Sequence, residues 1–475
     1  MLKLFAKYSL GSVLSAFISL FSTPIITALI IPEELGKASM YTLAFNLILQ
    51  IVMLGTDQSY VRDFYKHSDA KGKRALFVNC LVPSLVCSLI AFFIIYLFRA
   101  PISNLMLGEI SHLIVILLGI SVFVGVFERF VMLLLRLEKR AILFSFLRFF
   151  SAGINFAIIY LYATHIKKDF YAIVYGNILA IMITVLLAIF ATGSEWHFRT
   201  IHWSKIRPLI RYGLPFVPAF LASWIFEGVD KIVLRDFSSF EELGLFSAAF
   251  KFVAILSILQ LAFTTFWAPM AMELYESDSI TARQKFKNVF SIASALLFIG
   301  GLGLITSTDI IMLLFDKQYD KSAQIMPFLL FIPIMYTLSE VTVGGINFKN
   351  KTYWHLIIAI VSGVINSVLC YILIPKYGAK GASMSTGLSY IMFFSLRTII
   401  SIKYYPFEIS KVKLTCAIML FMAICWMNTF LIFEKRVLMC INIAGIFVTA
   451  ALYFKEIKHI FRESRKNKID LQEIV

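Results

Sequence analysis

Among the charged side chains that interrupt otherwise apolar stretches of this chain are Arg129, Arg148, Lys251, Glu227 and Asp230. An ionisable group held in hydrocarbon costs about 3 kcal/mol on insertion scales, so each should face a wet cavity or a partner. Arg129 and Arg148 lie about six and seven residues from one end of their apolar runs. At about 1.5 Å per helical residue, both sit roughly 10 Å deep on the same side. Guanidiniums are planar, permanently charged and suited to gripping an oxyanion with two parallel N–H donors. The competing reading is a scaffold contact, with Arg129 paired to neighbouring Glu128 or another acid, or snorkelling to the interface. Glu227 and Asp230 are three apart and share one helix face. Two close carboxylates in a low-dielectric setting resist simultaneous ionisation, so one can hold and release a coupling proton, or the pair can hold a cation. Lys251 lies at comparable depth, where the trio would either respond to substrate or simply neutralise itself. For Asp230, pairing with Lys231 or Arg235 near the surface is the plainer alternative.

The elements that carry these charges are long and apolar. Of 475 residues, 60% are hydrophobic and 15% charged, against about 25% charged in a soluble domain. Fourteen apolar runs of helical length appear, from about 8–31 and 38–58 through 353–374 and 379–402 to 436–455. Continuous runs of this kind are helices, because barrel strands would alternate apolar and polar over about ten residues. The expected fold is therefore an all-α polytopic membrane protein with about 14 transmembrane helices. The run after Lys7 is too long for a signal peptide and lacks a small-x-small cleavage site, so it is read as a first span. Pro24 within span one, and Pro215 and Pro218 at the start of span seven, interrupt helical hydrogen bonding and are hinge candidates. Asn46, Gln50, Asn155, Asn177, Gln260 and Asn366 are read as stitching helices together, with sugar hydroxyls as alternative partners.

The net charge of +16 comes from 44 Lys and Arg that punctuate the apolar runs. With the N-terminus inside, 29 of them fall in the termini and inner loops, 12 outside and three within spans. Basic residues are retained on the cytoplasmic side, so both termini are expected there. The basic excess is thus topological, and no nucleic-acid partner is implied; the Lys455 to Lys468 tail has a possible secondary role at anionic headgroups. The six cysteines, Cys80, Cys87, Cys370, Cys416, Cys425 and Cys440, lie inside apolar runs without CxxC spacing and are read as reduced packing residues.

The sequence also repeats. Glu33-Glu34-Leu35-Gly36 with Ser39 recurs as Glu241-Glu242-Leu243-Gly244 with Ser247, and Ser151, Ile154, Asn155 and Tyr160 recur as Ser362, Ile365, Asn366 and Tyr371. Two matches at nearly one offset imply pseudo-symmetric six-helix bundles at 1–204 and 205–405, related by an axis along the membrane normal, with an appended helix pair and basic tail at 406–475.

Tyr212-Gly213-Leu214-Pro215, Asp230-Lys231, Glu242 to Ala248, Trp267 and Pro269, and above all Leu373-Ile374-Pro375-Lys376-Tyr377-Gly378-Ala379-Lys380-Gly381-Ala382, resemble bacterial lipid-linked oligosaccharide flippases. These are the O-antigen and capsule repeat-unit flippases of the MOP superfamily, which also holds peptidoglycan-precursor flippases and multidrug/cation antiporters. Ile31 precedes Pro32 where the family often has Gly; Pro32 and Gly36 are read as supplying that turn. The resemblance implies a MATE-like pair of rocking bundles in the bacterial inner membrane. The cargo would be an undecaprenyl-pyrophosphate-linked sugar unit moved from the cytoplasmic to the periplasmic leaflet. Lipids and other polysaccharide assembly proteins would be the partners. Arg129, Arg148 and Lys251 would then meet the pyrophosphate or sugar. A multidrug/cation antiporter is the rival within the superfamily, and a membrane polymerase or ligase the rival outside it, although the latter would need a long outer loop.

No enzyme site is expected. In Gly344-Gly345-Ile346-Asn347-Phe348-Lys349-Asn350-Lys351-Thr352, Asn350 stands where a P-loop needs glycine before its lysine. Gly301-Leu302-Gly303 follows no strand and lacks the third glycine of a dinucleotide loop, and the seven His show no metal spacing. No cofactor and no metal are called for.

Overall fold

The computed structural model describes residues 2–192, 201–276, 280–431, 433–456 and 458; the side chains of 2–10, Ser12, Glu227, Ala262 and Ile280 lie outside what it describes. Most of the basic tail from Lys455 to Lys468 is likewise outside the described residues. The chain divides after Ser247 into two units. The first contains α1 (Leu2–Leu29), α2 (Pro32–Val52), α3 (Thr56–Asp63), α4 (Ala70–Leu97), α5 (Arg99–Leu107), α6 (His112–Leu137), α7 (Ala141–His165), α8 (Tyr171–Ala191), α9 (Trp203–Gly213), α10 (Phe216–Phe237) and the start of α11 (Phe240–Glu276). The second continues along α11 to α12 (Ile280–Thr306), α13 (Thr308–Met312), α14 (Ser322–Leu329), α15 (Phe331–Thr342), α16 (Gly344–Phe348), α17 (Tyr353–Tyr404), α18 (Lys411–Phe430) and α19 (Lys435–Leu452).

Among the described residues, eleven helices are individually long and apolar enough to cross a membrane. The remaining apolar runs are accounted for by α1, by the bent pair α9 and α10, and by a second run within α17. That last helix is a hairpin. Gly378 takes φ 55° and ψ −133°, a conformation open to glycine. The two arms then return along each other: Ser389 donates to Asn366 Oδ1 at 3.2 Å and Trp354 Nε1 to Tyr404 Oη at 3.1 Å. Gly381 allows the tight return, since a Cβ there would stand 2.4 Å from the Leu373 carbonyl oxygen.

The second span differs from its expected bounds of 38–58. Helix α2 starts at Pro32, which occupies its first turn, where a missing N–H costs nothing. It stops at Val52, and Leu54 and Gly55 turn the chain with φ of 50° and 65° before α3 begins. Gly36 is therefore no turn residue. It is a notch inside α2: a Cβ would lie 2.0 Å from the Phe240 carbonyl oxygen, while a Cβ on Gly244 would lie 1.7 Å from that of Pro32. The glycines of the two Glu-Glu-Leu-Gly copies thus let the starts of α2 and α11 touch backbone to backbone.

In the first unit α1 packs on α7, α7 on α8, α4 and α8 on α6, and α3 is held by α4, α6 and α9. Tyr60, Phe64, Phe77 and Phe130 form its aromatic core, each at most 1% exposed, with ring centroids 5.7 to 6.1 Å apart. In the second, α15 packs on α17 and α12, and α12 on α18 and α19, around Phe298, Phe331 and Phe421. Of the cysteines, Cys80, Cys370 and Cys425 are packing residues; Cys416 and Cys440 instead sit exposed on α18 and α19.

Candidate functional site

Glu128 and Arg129 are adjacent on α6, so their side chains point about a quarter-turn or more apart and cannot readily serve each other. Each takes a separate partner. Arg129 donates Nε and Nη2 to Asp57 Oδ2 at 3.2 and 2.9 Å, reaching across to the first turn of α3. Glu128 lies 3.8 Å from Arg148 Nη1 on α7. The acids are the more buried members: the Asp57 and Glu128 side chains are 3% and 22% exposed, those of Arg129 and Arg148 51% and 46%. Two half-exposed guanidiniums, on neighbouring helices and each backed by a carboxylate, are what this arrangement offers. Their remaining N–H donors can take an anionic oxygen.

Asp57 lies next to the end of the 38–58 run, where hydropathy alone gives it no role. Its signal was Leu54-Gly55, a backbone break that starts a new helix with an acid in its first turn. Below it on α3, Arg62 forms a two-pronged pair with Asp63 at 2.7 and 2.6 Å and stacks on the Tyr212 ring, 3.6 Å from its centroid. The Arg62 hydrogen bonds hold the Asp63 carboxyl down at about 2.

Asp230 lies on α10, 1% exposed, with the Lys231 backbone N–H on its Oδ1 at 2.7 Å. Arg235 goes elsewhere, to Asp236 and to the carbonyls of Asn104 and Leu105. The Glu227 backbone is helical, but its side chain is outside the described residues. Lys251 sits half-buried on the stretch of α11 that belongs to the second unit. Pro24 lies inside α1, Pro215 precedes the first turn of α10 and Pro218 falls within that helix; α9 and α10 meet at a 44° bend.

Asn155 donates to Asn177 at 2.7 Å and joins α7 to α8, while Asn366 joins the two arms of α17. The two repeat-related asparagines thus make the same kind of contact between consecutive spans. A further charge inside a span is Arg397, within the run at 379–402. It is 8% exposed and donates to Glu340 and Ser339, both at 2.7 Å, beside the rings of Tyr336 and Phe393.

The fold is shared with solved structures of flippases and transporters. The structure titled Lipid II flippase MurJ, in an inward closed conformation, matches with a TM-score of 0.69 at 15% identity, covering 95% of this chain and 99% of that one. An inward-facing multidrug resistance MATE family transporter of the MOP superfamily matches at 0.58 and 14% identity over 87% and 96% of the two chains. A MOP superfamily transporter from Pyrococcus furiosus, whose title describes a binding pocket of reverse polarity, matches at 0.54 and 14% identity over the same shares. The chain belongs to the family described as polysaccharide biosynthesis protein, whose model matches residues 2–275. No curated protein matches.

Proposed function

We propose that this protein is a flippase for lipid-linked oligosaccharides. It moves undecaprenyl-pyrophosphate-linked repeat units from the cytoplasmic to the periplasmic leaflet of a bacterial inner membrane, for O-antigen or another surface polysaccharide. Family membership supports a role in polysaccharide biosynthesis, and a fold shared with a structure titled as a lipid II flippase supports movement of a lipid-linked cargo. The observation that carries the reading is the pair of half-exposed guanidiniums, Arg129 and Arg148, roughly 10 Å along apolar helices from their basic ends. A pyrophosphate entering hydrocarbon needs compensating positive charge at that depth. Both termini lie in the cytoplasm in this reading, and Pro24, Pro215 and Pro218 are the bends about which the helices rock. Glu227 and Asp230 are the candidates for a coupling proton or cation, and Lys251 is a candidate contact for substrate phosphate. The protein is a transporter without a catalytic step.

Deleting the gene in its host and extracting lipid-linked intermediates tests this directly. One defined repeat unit should accumulate on the cytoplasmic side, and wild-type protein should clear it, whereas Arg129→Ala and Arg148→Ala should not, although both reach the membrane. Normal export by both variants would leave them as scaffold contacts. Absence of any accumulated unit, with loss of drug efflux from vesicles instead, would favour the antiporter reading.

A further inference from the structure

The Asp57 and Arg129 pair is oddly made. An arginine facing a carboxylate ordinarily sends two parallel N–H groups to two oxygens. Here Nε and Nη2 converge on Oδ2 alone, and the Gln58 amide donates to that same oxygen at 3.0 Å. Among the described residues Oδ1, buried from solvent, has no hydrogen-bond partner. A buried acceptor left unserved is costly, and more so when it belongs to a charge. The pair is thus held by one oxygen while the other is wasted. Its cation is half-exposed and its anion is 3% exposed.

A structural ion pair would be expected the other way round in quality, with both oxygens used and the arginine covered. Arg397 is the contrast in burial within the same chain: it is 8% exposed, and its Nη1 donates to both Glu340 Oε1 and Ser339 Oγ at 2.7 Å. Arg129 has no such cover. Around Asp57, Arg62 and Lys66 are committed to Asp63, α9 contributes Tyr212 under Arg62, and α4 brings the thiol of Cys80.

We infer that the Asp57 carboxylate is an internal stand-in for substrate phosphate: it holds Arg129, with Gln58, in position while the site is empty, and a phosphate oxygen of the cargo takes its place on the guanidinium. The inference rests on the reading of Arg129 as a phosphate contact and adds a competitor to it. A phosphate can offer two oxygens to the two donors that now share one, so the exchange improves the geometry around Arg129. It also leaves Asp57 without its cation, and that cost sets a ceiling on how tightly substrate is held before it must be released on the other side. Asp57 is a positioning residue that weakens binding in order to keep the arginine aimed.

The sign of the expected effect separates this from a structural role. Purified full-length protein is titrated with a short-chain prenyl pyrophosphoryl sugar, a pyrophosphate diester. Asp57→Asn keeps size and removes the competing charge, and it should bind the probe about tenfold more tightly than wild type. Asp57→Glu, which restores the carboxylate, should return towards wild-type affinity. In transport, Asp57→Asn should lower the KM and also lower the turnover, because release is slowed. Should Asp57→Asn not fold, Asp57→Ser carries the same expectation. If Arg129→Ala weakens binding while the uncharged Asp57 variants bind no better than wild type, the stand-in is refuted and the phosphate contact survives. If Arg129→Ala binds as well as wild type, both fall.

Discussion

Replacing Arg397 with alanine should strongly destabilise the second unit. The Arg397 side chain is 9% exposed and that of Glu340 14%, so neither charge has water to fall back on. Two hydrogen bonds of 2.7 Å disappear, to Glu340 and to Ser339, along with cation–π contacts to Tyr336 and Phe393 at 5.7 and 5.5 Å. The larger part of the cost is what remains: a carboxylate stranded between α15 and α17 with its cation gone. Breaking a buried pair from one side costs about 3–5 kcal/mol. For a unit of this size, at about 2–4 °C per kcal/mol, that corresponds to a fall of roughly 6–20 °C in melting temperature. Removing both charges in Arg397→Met with Glu340→Leu should recover most of the loss, since no unpaired ion is left. Thermal unfolding in detergent, followed by a tryptophan signal or by aggregation, reads wild type, Arg397→Ala and the double variant. An Arg397→Ala variant melting within 2 °C of wild type, or a double variant melting below Arg397→Ala, would refute the reasoning.

Valine at Gly36 or Gly244 should sharply reduce the folded protein recovered from membranes, because its Cβ would stand 2.0 or 1.7 Å from a backbone oxygen that has no rotamer to change; fluorescence-detected size exclusion would show it. Gly378→Val should cost about 1–3 kcal/mol for the backbone conformation alone, whereas Gly303→Val, where a Cβ meets nothing within 4 Å, should melt near wild type. Asp63 gives a pH prediction. Its carboxyl sits at about 2 in the folded protein, against about 3.9 when unfolded. Its contribution is therefore fully present above pH ~4 and lost as the pH falls towards 2, so melting curves from pH 5 downward should steepen less in Asp63→Asn than in wild type.

The all-helical fold was legible because hydropathy in a membrane protein is nearly a map of the elements: backbone groups must be satisfied within each segment, so a long apolar run leaves few alternatives to a helix. The interruptions were less legible. The run at 38–58 concealed the break at Leu54 and Gly55, since apolar side chains continue across it while the backbone turns. Gly36 read as a turn residue beside Pro32, yet its role is to let another backbone approach, which depends on a segment more than 200 positions away. For the charges, spacing gave depth and nothing about partners. Arg129 could be located along its helix, but Asp57 is 72 residues distant and Glu340 is 57 residues from Arg397. Arg397 lies only a turn or two from the end of the 379–402 run, where an arginine can ordinarily reach water. Only the packing of α15 against α17 makes it a core residue.

The turn at Gly378 has a consequence for how the chain enters the membrane. The two arms of α17 are joined without a loop of any free length, as the contact between Gly381 and the Leu373 carbonyl requires. The tip of the first arm is the second arm's beginning, so the pair is expected to enter the bilayer as one object, folded at the tip, with Lys376 and Lys380 on either side of the turn. A ribosome stalled shortly after residue 378 would therefore hold an unfinished insertion unit, and the point of commitment for this part of the chain lies at the end of the returning arm, near Tyr404.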